Sequence, residues 1–203
     1  DFFRTLWVPR QQRFTFLSNI HPSVEAGALF DATSSAQAIK DIEKKGSRYF
    51  SELSVKYLII PYDSLGEFFL IDRKYDKTIP EKISKSLETI PWLKKIDGFG
   101  NITIFEVPWP KDHFWWEKSG KISYKMLSPT SYFINVSLDY PQKLIFSEKY
   151  NPSWVVKIKD KTVKSQRTLD NLNSFELEKG DYDLETVFLQ DKFYNYGRAI
   201  SLV

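Results

Sequence analysis

The chain has 203 residues, with 29 Lys+Arg against 26 Asp+Glu for a net charge of +3, too small an excess to direct it to nucleic acid. It contains no cysteine, which excludes disulfides and thiolate metal sites but leaves the compartment open. No stretch reaches the roughly 20 apolar residues of a membrane span, and 42% hydrophobic with 27% charged residues describes a chain able to bury one large core or two small ones.

Arg4-Thr5-Leu6-Trp7-Val8, closed by Pro9, reads as a first strand. Residues 10–33 show no clean period and hold the turn signal Asn19-Ile20-His21-Pro22, so they read as loop, with a short strand at Phe14–Leu17. Ser34 or Ser35 caps a helix running to Leu53, whose Ile39, Ile42, Tyr49, Phe50 and Leu53 recur at helical spacing, with Gly46 placed to break it. Val55 to Ile60 is a nearly continuous apolar run ended by Pro61, the pattern of a strand covered on both faces. Residues 63–71 suggest a helical turn. Pro80 followed by Glu81 opens a helix to Thr89. Trp92–Ile96 and Asn101–Val107 flank Asp97-Gly98-Phe99-Gly100 as a hairpin.

Pro108-Trp109-Pro110 marks a boundary, because two prolines hold an extended path and suppress helix before them. Beyond it helical periods vanish and alternation takes over. Ile122, Tyr124 and Met126 form one strand and Tyr132, Ile134, Val136 and Leu138 the next; Leu144–Phe146 follows. Asn151-Pro152 belongs to a connection, since proline cannot donate to a ladder. Trp154, Val156 and Ile158 then alternate with Val155, Lys157 and Lys159, and Tyr182, Leu184 and Thr186 repeat the pattern after a turn at Gly180-Asp181, with Phe175–Leu177 as a shorter partner. Short strands at roughly 8–12-residue spacing predict an antiparallel sandwich. The expected fold is α+β: a mixed α/β unit over 1–110, a linker over 111–120, and a jelly-roll-like β-sandwich over 121–203.

Several segments, in order, resemble a known group. They are RTLWVP (4–9), NIHP (19–22), VKYLIIP (55–61), ITIFEVP (102–108), ISYKMLSPTSYFINV (122–136), LIFSEKYNPSW (144–154), the Gly180 turn and GRAIS (197–201). This arrangement resembles the extracytoplasmic C-terminal region of YfhO-like polytopic membrane proteins, relatives of glycosyltransferases that use lipid-linked sugars. The chain departs from that group at Ser153, where glycine is usual before the Trp, and at Asp160-Lys161, where the group has an Asp-Gly turn. The resemblance implies a domain outside the cell, hung between transmembrane helices before Asp1 and after Val203. Its partners would be the transmembrane portion of the same protein and a glycan or lipid-linked sugar, not nucleic acid. The group's catalytic acids lie among its membrane helices, so no position here inherits them and the fragment is expected to be non-catalytic. The alternative is a self-standing surface module binding carbohydrate or protein.

Sugar binding is the sharpest chemistry the residues offer, because flat aromatic faces stack on the apolar faces of pyranose rings. The candidates are Trp109, Trp115, Trp116, Tyr150 and Trp154. Each has a packing counterpart: Trp154 is in phase with Val156 and Ile158, and of the adjacent Trp115 and Trp116 only one need be buried. The adjacent pair also suits a membrane interface. No metal site is expected, since His21 and His113 lack ligands at metal spacing; Asp181 and Asp183 suit a polar turn better than calcium. No cofactor is implied, no nucleophile has a base in a recognised context, and no glycine-rich phosphate loop occurs. Lys157, Lys159, Lys161, Lys164 and Arg167 suit a solvated edge strand better than an anionic lipid site. Asn101-Ile102-Thr103 and Asn135-Val136-Ser137 are glycosylation sequons, relevant only in a secretory or archaeal host.

Overall fold

The computed structural model describes residues 1–8, 18–61, 78–100 and 102–190. The expected strand at 14–17, the helical turn at 63–71 and the segment 197–201 lie outside them. The chain divides into two compact units, Asp1–Asp112 and His113–Val203.

In the first unit the strands are β1 (Arg4–Trp7) and β2 (Ser23–Glu25). Helices α1 (Ala26–Phe30) and α2 (Ser35–Glu52) follow, then β3 (Val55–Ile60), α3 (Thr78–Glu88), β4 (Lys94–Ile96) and β5 (Thr103–Glu106). The sheet runs β2-β1-β3-β5-β4, parallel through its first three strands and antiparallel through the rest. Ser34 caps α2 by accepting from the Gln37 amide, satisfying one of the four orphan N–H groups of a helix start. Gly46 sits at φ 73 and ψ 171 and interrupts the helix, a conformation that costs a residue without Cβ least. Ala38, Ile42 and Phe50 of α2 and Ile83 and Leu87 of α3 pack on Leu6, Leu58 and Phe105 of the sheet.

That packing corrects the reading of β3. Val55, Leu58 and Ile60 are buried, but Lys56, Tyr57 and Ile59 are only half-buried, so one face is fully covered and not both. Residues 23–30, expected as loop, form β2 and α1. Their apolar positions are too few to show a period, and β2 exists only through its pairing with β1. The helix containing Pro80 begins at Thr78, with the proline inside the first turn, where its missing N–H costs no internal bond.

The second unit is a pair of antiparallel sheets. Its strands are β6 (Phe114–Trp116), β7 (Lys121–Ser128), β8 (Ser131–Leu138), β9 (Gln142–Lys149) and β10 (Trp154–Ile158). They continue with β11 (Lys161–Lys164), β12 (Gln166–Arg167), β13 (Leu172–Leu177) and β14 (Gly180–Phe188). One sheet runs β11-β10-β14-β8-β7 and the other β12-β13-β9-β6. Their inner faces share one core: Phe114, Trp116, Leu144, Phe146 and Phe175 from the smaller sheet meet Tyr132, Ile134, Val136, Trp154, Val156 and Leu184 from the larger. Phe114 and Phe146 stack with centroids 4.5 Å apart, and the Trp154 indole stands edge-on to Phe146 at 4.8 Å, the offset and perpendicular geometries that aromatic quadrupoles favour. Much of the chain's aromatic content is thus core.

Two boundaries differ from the sequence reading. Residues 111–120 are not a linker, because Phe114–Trp116 pairs with β9 in the register Phe114↔Phe146 and Trp116↔Leu144. A three-residue strand is too short to show alternation, and its partner lies 30 residues on. The following connection is pinned by Gln142, whose side chain donates to the Ser119 carbonyl and accepts from the Lys118 amide. Gly180 and Asp181 are not a turn but the first residues of β14, paired with Leu138 and Ser137. Gly180 has φ 145, and β13 and β14 belong to different sheets rather than to one hairpin.

A buried amide locks one end of the sandwich. Asn173 is fully buried. Its Oδ1 accepts from the Asn151 amide at 3.0 Å and the Ser165 hydroxyl at 2.9 Å, and its Nδ2 donates to the Glu148 and Lys149 carbonyls at 2.8 and 3.2 Å. It ties the β9–β10 loop to the corner where the chain leaves β11 in one sheet for β12 in the other.

Candidate functional site

The five aromatic candidates do not form one surface. Trp154 and Trp116 are each only 7% exposed and belong to the sandwich core, so neither offers a ring face to a ligand. Alternation along β6 explains the split between neighbours: Trp116 turns inward with Phe114, while Trp115 stands on the other face and is half-buried. Gly120 lies against the Trp116 indole so closely that an added Cβ would meet Nε1 at 2.7 Å. Tyr150, in the β9–β10 loop, is half-buried with the Arg167 guanidinium 6.0 Å from its ring centroid. Trp109 belongs to the first unit and is 87% exposed. It sits at φ 48, in the left-handed region that non-glycine residues seldom occupy, and its carbonyl accepts from Ser51 Oγ.

The structure instead gathers polar side chains on the outer face of the β11-β10-β14-β8-β7 sheet. An open groove of about 890 Å³ is lined by Lys121, Ser123, Asn135, Ser137, Lys159, Asp181 and Asp183. The register builds it. Ser123 pairs with Asn135, and Asn135 with Asp183; Lys121 pairs with Ser137, and Ser137 with Asp181. Two cross-strand rows of polar groups therefore run over three adjacent strands. Lys159 reaches the groove from the β10–β11 turn, with its backbone at φ 50.

A chain of hydrogen bonds orders the central row. Ser123 Oγ donates to Asn135 Oδ1 at 3.3 Å, and Asn135 Nδ2 donates to Asp183 Oδ1 at 2.5 Å. The second amide hydrogen, the second carboxylate oxygen and the serine lone pairs remain for a ligand, a mixture of donors and acceptors suited to hydroxyl groups. Tyr182, on the opposite face of β14, donates to the Glu178 carbonyl at 2.8 Å. Its hydroxyl pKa is raised by burial and by the Glu178 carboxylate, so it stays a neutral donor.

Asp181 and Asp183 do share one face of β14, as alternate positions must, but Asp183 engages an amide. Among the described residues no group of three or more His, Cys, Asp or Glu is placed to hold a metal ion. His113 is buried against Phe114, Tyr132 and Phe146, with Nε2 2.9 Å from Glu148 Oε1. Lys161 and Lys164 lie on β11, an outermost strand of the sheet, where lysine discourages edge-to-edge pairing.

The chain matches no protein-family model, no characterised protein and no solved structure. Sequence reasoning missed the groove for a specific reason. The polar alternation of β8 and β14 is legible in each strand, but Asn135 and Asp183 stand 48 residues apart, and only the register of the two strands brings them together.

Proposed function

We propose that this chain is an extracytoplasmic domain of a polytopic, glycosyltransferase-like membrane protein of the YfhO-like kind. Its sandwich unit holds a glycan, or the glycan head of a lipid-linked acceptor, in the groove on β7, β8 and β14. The fragment binds and positions; the transfer chemistry belongs to the transmembrane portion of the same protein. The observation that carries the binding reading is the ordered row Ser123–Asn135–Asp183, which presents paired donors and acceptors on an open sheet face. The order of sequence segments supports the membrane setting. The passage of the chain from β11 to β12 across the two sheets favours a jelly-roll-like form of the sandwich. Among the described residues no helix is long and apolar enough to cross a membrane.

Trp116 and Trp154 are core, and the binding role falls to the groove. Calorimetric titration of the chain with oligosaccharides tests it. Open, solvated grooves of this kind bind weakly, and a dissociation constant of about 1 mM corresponds to roughly −4 kcal/mol. Asn135→Ala and Asp183→Asn are expected to abolish the heat signal while leaving the fold intact, because both side chains are exposed. Binding that survives both substitutions would remove the groove from consideration. The membrane setting is tested separately, by the hydropathy of the parent gene on either side of the chain: many spans of about 20 apolar residues are expected upstream. A secretory leader directly before Asp1 would make the chain a free-standing surface module.

A further inference from the structure

One aromatic side chain on the sandwich faces outward beside the groove, and it is not a tryptophan. Phe133 is 38% exposed on β8, while its neighbours Tyr132 and Ile134 are buried in the core. It stands on the same face as Asn135, two residues away along the strand, a separation of roughly 7 Å at the usual strand rise. Its cross-strand partners are Lys125 on β7 and Glu185 on β14. Glu185 accepts from Ser131 Oγ at 3.1 Å. Phe133 therefore extends the groove by one step along β8 with a flat apolar surface.

We propose that Phe133 is a ring-stacking platform continuous with the groove, and that the ligand is a neutral oligosaccharide of at least two rings lying along β8. This rests on the glycan reading of the groove and deepens it. One ring places its C–H face on Phe133, where burial of apolar area and the aromatic quadrupole both favour contact. The next ring offers its hydroxyls to Asn135, Ser123 and Asp183. The charges lining the groove balance, two lysines (Lys121 and Lys159) against two aspartates (Asp181 and Asp183), which fits a neutral sugar. A single sugar ring spans only one of the two subsites, so it binds more weakly than a chain.

The test titrates the full chain with glucose, maltotriose, cellotriose and chitotriose. At least one trisaccharide is expected to bind more tightly than glucose. Phe133→Ala is expected to weaken that trisaccharide roughly tenfold, the scale of one lost stacking contact, and Phe133→Trp to restore it. A purely structural role would not produce that rescue, and thermal unfolding of Phe133→Ala near the parent value shows that the sandwich is intact. If the trisaccharide binds, Asn135→Ala abolishes binding and Phe133→Ala leaves it within twofold, the platform is overturned while the groove stands. If no saccharide binds the parent chain, the groove reading and the platform fall together.

Discussion

Replacing Asn173, a fully buried amide, with alanine should be among the most damaging single changes in the sandwich. Four hydrogen bonds converge on its amide, and the substitution leaves the Glu148 and Lys149 carbonyls, the Asn151 amide and the Ser165 hydroxyl without it. A net contribution of about 0.5–1.5 kcal/mol per bond, with some groups recaptured by water, gives a loss of roughly 2–4 kcal/mol. That is a large share of the 5–15 kcal/mol that typically separates folded from unfolded domains. The assay is urea unfolding followed by the fluorescence of the buried Trp116 and Trp154, with amide exchange at Asn151 as a local readout. Asn173→Asp adds a pH signature. A carboxylate buried against two carbonyls has its pKa raised on folding, so the variant is least destabilised below the unfolded Asp value of about 3.9 and loses stability as pH rises through the folded value. An alanine variant within about 0.5 kcal/mol of the parent, the range of an ordinary surface substitution, would refute the clasp.

Other variants separate packing from surface. Trp154→Ala should cost about 3–5 kcal/mol, the usual range for emptying a large aromatic from a core, whereas Trp109→Ala should leave thermal unfolding nearly unchanged; equal effects would contradict the burial assigned to them. Gly120→Ala should destabilise the sandwich by about 1–3 kcal/mol through overpacking, since its Cβ would meet Trp116 Nε1 at 2.7 Å and Leu138 Cδ2 at 3.0 Å. A neutral result would mean that the Trp116 indole moves freely. In the first unit, Glu88 accepts from Lys95 Nζ at 2.6 Å and from Ser84 Oγ at 3.1 Å. Lys95 first, then Ser84, hold its carboxyl below the ordinary value of 4.5. A depressed pKa contributes stability above the unfolded value, which is lost as pH falls through the folded one. Acid titration of stability should therefore be flatter in Glu88→Gln, by a small margin because the pair is exposed. An unchanged acid limb would remove this pair from the account.

Local signals and long-range register were unequally legible in the sequence. The Ser34 cap, the break at Gly46, the β4–β5 hairpin and the strand opened by Trp154 follow from residues a few positions apart, and the structure shows them. Strand β6 has only three residues, so nothing in its own pattern distinguishes it from a boundary segment; it is made by β9. The near-continuous run at 55–60 looked doubly covered because Tyr57 and Ile59 are apolar, but apolar residues also occupy half-buried faces. Asn173 sits among Leu172, Ser174 and Phe175 with no sign of four partners drawn from residues 148–151 and from Ser165. At the candidate site, the aromatic residues point to five positions, of which Trp116 and Trp154 are core. The groove depends on serines, an asparagine and aspartates that form no motif within any one strand.

The central claim is that the outer face of β7, β8 and β14 binds a glycan, and residue-resolved NMR of the isotopically labelled chain during titration with the trisaccharides tests it most directly. The account predicts progressive, saturable shifts at Ser123, Phe133, Asn135, Ser137, Asp181 and Asp183, with Trp154 and the first unit unmoved. Shifts gathered instead around Tyr150 or Trp109, or none with any saccharide, would contradict it.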